Sequence, residues 1–321
     1  MISNDIKRIV YIRIRVIVWT LFRAAFLFGL SFVLLYPLIY MLSMAFRTPA
    51  DMANPAVVWI PRNYTLQNIR DAIKFMEYSK AFINTVRLGF VSSFFQIISC
   101  AFIGYGFARF TFKFKSLIFG LVLFTIIVPP QVLYVPTFLM YKDFDPLGIL
   151  KIIESITGNR PYVNILDTAL TLYLPAILGI GIRSGFFIYI YRQFFRGLPR
   201  ELEDAAYIDG AGIYGTFLRI VVPNALPAFL TVILFSIVWY WNDYFFSSMY
   251  FSQTKTISTA LAGLVDAFTT DTAFDYIRTD PYLITTRLQA GCLLAISPIL
   301  ILYVILQKYF TESIERTGIV G

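Results

Sequence analysis

Residues 20–46 read TLFRAAFLFGLSFVLLYPLIYMLSMAF, and a single charge, Arg23, falls in the whole stretch. A helix needs about 20 apolar residues to cross a hydrocarbon core about 30 Å thick, so this run is long enough to span one. Five more runs of the same kind follow, at roughly 81–108, 116–141, 168–192, 224–248 and 284–307. They are continuous rather than alternating, which excludes the strands of a membrane β-barrel, each about 10 residues of alternating polarity. Composition agrees: of 321 residues, 58% are hydrophobic and 14% charged, and the mean hydropathy is +0.70. A soluble domain is closer to about a quarter charged. The fold class expected is all-α, a polytopic membrane protein with six transmembrane helices over residues 20–321.

The charges give the orientation. With six crossings both termini share a side, and that side would carry Lys7, Arg8, Arg13, Arg15 and Arg23, then Arg109, Lys113 and Lys115. It would also carry Arg192, Arg196, Arg200, Arg219, Lys308 and Arg316, against fewer acids: Asp5, Glu201, Glu203, Asp204, Asp209, Glu312 and Glu315. Excess Lys and Arg marks the cytoplasmic face, so both termini are expected there. Residues 1–19 alternate basic and apolar and are expected to form a basic amphipathic segment along the inner membrane surface. The apolar run after them exceeds a signal-peptide core and is expected to stay as an uncleaved first span.

Several function classes drop out. The net charge of +8 is explained by this asymmetry and by attraction to anionic lipid, and no soluble basic face is available for nucleic acid. The chain has no histidine, which removes the commonest catalytic base and metal ligand, so a membrane hydrolase or metal centre finds no support. Cys100 and Cys292 both sit inside expected spans, where packing is their default role. An ion-coupled secondary transporter would carry buried acids or broken helices in matched halves. A simple scaffold would leave the loop described next without a purpose.

Residues 191–230, YRQFFRGLPRELEDAAYIDGAGIYGTFLRIVVPNALPAFL, join the fourth and fifth spans. Pro199 suits a helix's first turn, and Glu201, Glu203 and Asp204 follow where acids complement the N-terminal dipole. Ala205 and Ala206 favour helix, and Gly210 and Gly212 supply a turn. A second amphipathic segment over 213–222 places Ile213, Phe217, Ile220 and Val221 on an apolar side before Pro223. The pattern predicts two short helices joined by a glycine elbow over about 193–223. Such an element is either a plain loop cap or a docking site for a cytoplasmic partner.

This loop resembles the signature loop of the permease subunits of binding-protein-dependent ABC importers. Asp204-Ala205-Ala206, Gly210 and Pro223 stand where that family has Glu-Ala-Ala, a glycine and a later proline. The wider pattern Pro199-x-Glu201-Leu202-Glu203-Asp204-Ala205-Ala206-x-Ile208-Asp209-Gly210-Ala211, with Trp241-Asn242-Asp243, is similar to the carbohydrate-uptake branch. Tyr105-x-Phe107-Ala108-Arg109-Phe110 and Pro129-Pro130-Gln131 resemble the same branch, and the tail from Gln307 to Gly321 looks like that of the maltose transporter's smaller permease. In that tail Ser313, Thr317 and Val320 replace two glycines and a lysine.

The resemblance implies a permease domain that forms half of a translocation pathway for a sugar or oligosaccharide in a prokaryotic inner membrane. The alternatives are a secondary transporter or an importer of a non-sugar solute. It implies no catalysis and no cofactor on this chain, which also lacks a Gly-x-x-x-x-Gly-Lys-Ser/Thr phosphate loop. The implied partners are a second permease, two ATP-binding cassette ATPase subunits and an extracytoplasmic solute-binding protein. Coupling to the ATPase would fall on Glu201, Glu203, Asp204, Ala205, Ala206, Asp209 and Gly210.

Polar groups inside spans are costly and tend to face a bundle interior. Gln131, Arg183, Asn242 and Asp243 are therefore candidate pathway-lining residues, with Asn84, Arg87 and Gln96 also in spans. Arg183 could line a path, pair with Asp243 or snorkel. The 21 tyrosines and 32 phenylalanines could stack on sugar rings, but membrane-belt and core packing account for nearly all of them.

Overall fold

A computed structural model describes residues 2–270 and 280–318, with side chains over 12–270 and 280–308. Among these residues the regular structure is helical, apart from one antiparallel bridge between Arg47 and Tyr64. Three helices are long and apolar enough to cross a membrane: α1 (Ile2–Ala45, crossing part Ile12–Ala45), α4 (Tyr78–Arg109) and α17 (Pro281–Gly318, crossing part Pro281–Lys308). Short helices α2 (Pro49–Met52) and α3 (Gln67–Phe75) lie between α1 and α4. The boundary expected at Trp19 falls inside α1, which has no break there.

The third expected span, 116–141, is not one helix. It is split into α5 (Lys115–Ile127) and α6 (Gln131–Lys142), which meet at 103°. Pro129 and Pro130 lack the N–H groups that would continue the ladder, so the chain turns. The fourth, 168–192, is split too, into α8 (Leu170–Ile177) and α9 (Ser184–Gly197), with 178–183 unwound between them. After the loop helices described below, α13 (Leu226–Trp241) is the regular part of the fifth. It meets the segment before it, Ile213–Asn224, at 81°. The expected 224–248 therefore ends early, and α14 (Phe245–Tyr250) starts afresh. Between α6 and α8 lies α7 (Ile149–Thr157), while α15 (Ile257–Ala262) and α16 (Leu264–Thr270) follow α14. Residues 271–279 and the last three of the tail, 319–321, lie outside the described residues.

The chain forms two compact units. One holds residues up to Ile73 together with Val265–Leu294. Its core packs Ala45, Ala72 and Ala290 with Phe46, Ile69 and Leu293. Small side chains let helices approach closely where lipid gives no hydrophobic drive. A buried ion pair crosses it: Arg287 Nε donates to Asp71 Oδ2 at 2.7 Å, and Gln67 occupies the other carboxylate oxygen at 2.7 Å. Asn68 donates to the Ala45 and Arg47 carbonyls, closing the C-terminal end of α1.

The other unit, Lys74–Leu264 with the chain from Ala295, is built around α4. This helix packs against α8, α9 and α13. The α4–α9 crossing is tight at Gly104, where a Cβ would stand 2.6 Å from that of Tyr191. Around it lie Tyr105, Phe187, Tyr191, Phe195, Phe217 and Val232, all buried. At the far end of α4, a hydrogen bond from Lys255 holds the Glu77 carboxyl below its ordinary range.

Candidate functional site

The loop after α9 folds as α10 (Glu201–Ile208), α11 (Ile213–Thr216), a π-helical turn over Phe217–Val221 and α12 (Val222–Asn224). Pro199 lies in the link before α10 rather than in its first turn, and Arg200 is the N-cap. Glu201, Glu203 and Asp204 do occupy the first turn. The helix ends at Gly210, whose φ of 83° is open to glycine at little cost. Gly210 N–H donates to the Tyr207 carbonyl and Ala211 N–H to that of Ala206. These two bonds make a Schellman cap, so the elbow is a defined turn.

The residues expected to couple to an ATPase divide by direction. Glu201, Asp204, Ala205, Asp209 and Gly210 are exposed, whereas Glu203 and Ala206 are buried. Glu203 accepts from Arg109 Nε at 2.5 Å and from the Tyr105 hydroxyl at 2.7 Å, while Arg109 Nη2 donates to the Leu198 carbonyl at 2.9 Å. Glu203, one of the seven residues expected to couple, therefore faces α4 and not outward. A buried carboxylate is tolerated only when paired and hydrogen-bonded, and Glu203 is both. The second segment is also only half as expected. Phe217 and Val221 are buried, but Ile213 is 51% exposed and joins Ile208, at 85%, and Tyr214, at 75%, among the exposed residues flanking the elbow.

A second feature lies where the broken spans meet. The unwound stretch 178–183 leaves backbone groups without helical partners, and each costs several kcal/mol in hydrocarbon if left alone. The N–H groups of Leu178, Gly179 and Ile180 reach carbonyls of α8, and Gln96 of α4 supplies another partner: its Nε2 donates to the Ile182 carbonyl at 2.6 Å and to Ser184 Oγ at 2.9 Å. Ser99 donates to the Ala176 carbonyl at 2.6 Å, and Ser236 donates to Gln96 Oε1 at 3.3 Å.

Beside this break is a cavity of about 310 Å³, walled by the α5–α6 bend and the 178–183 stretch. Its lining includes Thr137, Tyr141, Arg183, Tyr240, Phe246 and Tyr250. The Thr137 and Tyr250 hydroxyls are 2.6 Å apart, and the buried Tyr240 hydroxyl has no acceptor for its proton among the described residues.

Of the candidate pathway residues, Arg183 alone lines this cavity. It sits at φ 59°, its guanidinium 5.7 Å from the Trp239 ring centre, and makes no ion pair with Asp243. Asp243 instead caps α14, accepting from the backbone N–H groups of Phe246 and Ser247 and from Ser247 Oγ. Gln131 is exposed at the start of α6, and Asn242 is exposed and donates to the Val238 carbonyl. Sequence reasoning missed Tyr141, Tyr240 and Tyr250; the visible signals were the Pro129-Pro130 pair and the unusual GIGIR run at 179–183.

The chain is 28% identical over 299 residues to the probable ABC transporter permease protein YurM of Bacillus subtilis, covering 92% of this chain and 87% of that one. The arabinooligosaccharides transport system permease protein AraQ of the same organism is 28% identical over 246 residues, 76% of this chain and 74% of that one. The melibiose/raffinose/stachyose import permease protein MelC, also of Bacillus subtilis, is 26% identical over 289 residues, 89% and 91%. The fold is similar to a crystal structure of a bacterial ABC transporter involved in the import of the acidic polysaccharide alginate. The TM-score is 0.69 at 19% identity, covering 91% of this chain and 96% of that one. Residues 100–316, which include α10 and the glycine elbow, match the family described as binding-protein-dependent transport system inner membrane component, and the chain belongs to that family.

Proposed function

We propose that this chain forms half of the translocation pathway of an importer for a sugar or oligosaccharide, driven from the cytoplasmic side by separate ATPase subunits. The observation that carries the reading is the elbow of α10 and α11. Acids Glu201, Asp204 and Asp209 are exposed beside apolar Ile208, Ile213 and Tyr214, while Glu203 ties the same helix to α4. That is the arrangement a docking element needs: a mixed charged and apolar surface on one side and a rigid link to the spans on the other.

Six crossings follow if α5–α6, α8–α9 and α13 each count as one with α1, α4 and α17. The Lys and Arg distribution then puts both termini and the 193–223 loop in the cytoplasm, with residues 1–19 near the inner surface. A second permease, two ATPases and a solute-binding protein complete the assembly, and this chain contributes no catalysis. The sugar transport for which AraQ and MelC are named supports the sugar cargo. The alternative reading is an importer of a non-sugar solute.

Uptake of labelled arabino-oligosaccharides and raffinose-type sugars by cells with and without the gene separates these readings. Loss of uptake for one glycoside class on deletion supports sugar import, and unchanged uptake across the panel rejects it. Co-purification of an ATPase with the tagged chain after mild solubilisation tests the importer reading independently.

A further inference from the structure

Arg192 and Arg196 sit one turn apart near the C-terminal end of α9, Arg200 follows at the start of α10, and Lys115 opens α5. Arg192 packs on Phe119, one turn after Lys115 on α5, which brings the cations of α9 and α5 together. Among the described residues none of the four makes an ion pair with Asp or Glu. The buried acid of this region, Glu203, is spent on Arg109 and Tyr105.

Arg192 is held flat, its guanidinium carbon 3.8 Å from the Phe119 ring centre, and its buried Nε has no hydrogen-bond partner. One of its terminal nitrogens reaches only the neighbouring Gln193 side chain, at 3.4 Å. Lys115 Nζ is turned onto the Phe110 carbonyl at 2.7 Å. Next to this cluster in sequence are Phe112, Phe114, Leu117 and Ile118, all exposed, Phe114 at 72%.

Four uncompensated cations repel one another, and an anion among them would relieve that repulsion. Exposed apolar residues beside the cluster give the same ligand an apolar neighbourhood. The combination is the chemistry of an acidic phosphodiester carrying acyl chains, and planar guanidinium groups suit phosphate oxygens. We propose that Arg192, Arg196, Arg200 and Lys115 bind the headgroup of an anionic phospholipid of the cytoplasmic leaflet, with its chains against Phe114 and Leu117. The site depends on the membrane orientation given above and is independent of the cargo.

The test is native mass spectrometry of the full-length chain in mild detergent, titrated with phosphatidylglycerol or phosphatidylcholine. Phosphatidylglycerol is expected to bind in preference. Each charge removed should weaken it about fivefold, so that Arg196→Gln with Arg200→Gln gives about 25-fold. Both arginines are exposed, so this variant should fold; Arg192→Gln, with a melting curve as control, provides the second reading. Phosphatidylcholine affinity should not move, and excess inorganic phosphate should fail to displace the lipid. Equal binding of the two lipids, or unchanged affinity in both variants, overturns the site. Displacement by phosphate assigns it to a free anion instead. Loss of ATPase co-purification from lipid-free detergent with phosphatidylglycerol affinity intact assigns the cluster to a protein contact and also overturns the proposal.

Discussion

Arg109, the last residue of α4, and Glu203, in the first turn of α10, are joined by a 2.5 Å hydrogen-bonded ion pair, with both side chains 8% exposed. The pair fixes the helix that carries Asp204 to the helix at the centre of the larger unit. Removing one partner strands a buried charge, so Glu203→Ala or Arg109→Ala is expected to destabilise the protein by about 3–5 kcal/mol. Tyr105→Phe removes a hydrogen bond to the buried carboxylate and should cost about 1.5–3 kcal/mol. If the tie transmits movement, Glu203→Gln, which keeps the size but not the charge, raises the ATP hydrolysed per solute carried in reconstituted vesicles. An unchanged ratio would confine the pair to a structural role.

The outward residues should behave differently. Asp204 is exposed and without an ion-pair partner among the described residues, so Asp204→Lys is expected to leave membrane insertion and melting unchanged while lowering ATPase co-purification and uptake. Gly210 at φ 83° cannot become proline, whose φ is fixed near −65°, so Gly210→Pro must distort the elbow. Transport should fall with insertion intact. Gly210→Ala costs roughly 1–2 kcal/mol locally and should give an intermediate effect. Full uptake and full ATPase binding in both Asp204→Lys and Gly210→Pro would remove the docking role.

The apolar runs, the two-helix loop and its glycine elbow were all legible in the sequence, because each depends on neighbours within a few residues. What was not legible depends on partners far along the chain. Gln96 closes a break 86 residues away, and Glu203 meets Arg109 across 94. Hydropathy sees 168–192 as one span because the unwound GIGIR is as apolar as a helix, and the Gln96 side chain that meets its Ile182 carbonyl comes from another helix. Adjacent prolines such as Pro129 and Pro130 interrupt a helix but do not set the angle, here 103°. The candidate pathway residues were chosen for polarity alone, and polarity does not distinguish Arg183 beside a cavity from Asp243 capping a short helix.

Gln96 is fully buried and satisfies the break between α8 and α9, so Gln96→Leu leaves the Ile182 carbonyl and Ser184 hydroxyl without that donor. An unsatisfied buried group costs about 1–3 kcal/mol, which thermal unfolding in detergent should register. Gln96→Glu keeps the shape but replaces the donor with an acceptor and should be at least as harmful. A neutral outcome for both would show that the 178–183 stretch is held by packing and not by this hydrogen bond.

Arg287 and Asp71 give the cleanest energetic test, because they lie in the smaller unit, which does not contain the loop. Their side chains are 3% and 5% exposed, and Arg287 opens the last expected span, where a lone cation would be costly. Arg287→Met alone leaves Asp71 buried with only Gln67 and should destabilise by about 3–5 kcal/mol, as should Asp71→Leu alone. The double variant removes both desolvation penalties and fills the space with apolar atoms, so it should recover most of that loss. A double-mutant cycle read by thermal unfolding then yields a large favourable coupling. Additive losses instead would mean that the two residues are stabilised by separate surroundings rather than by each other.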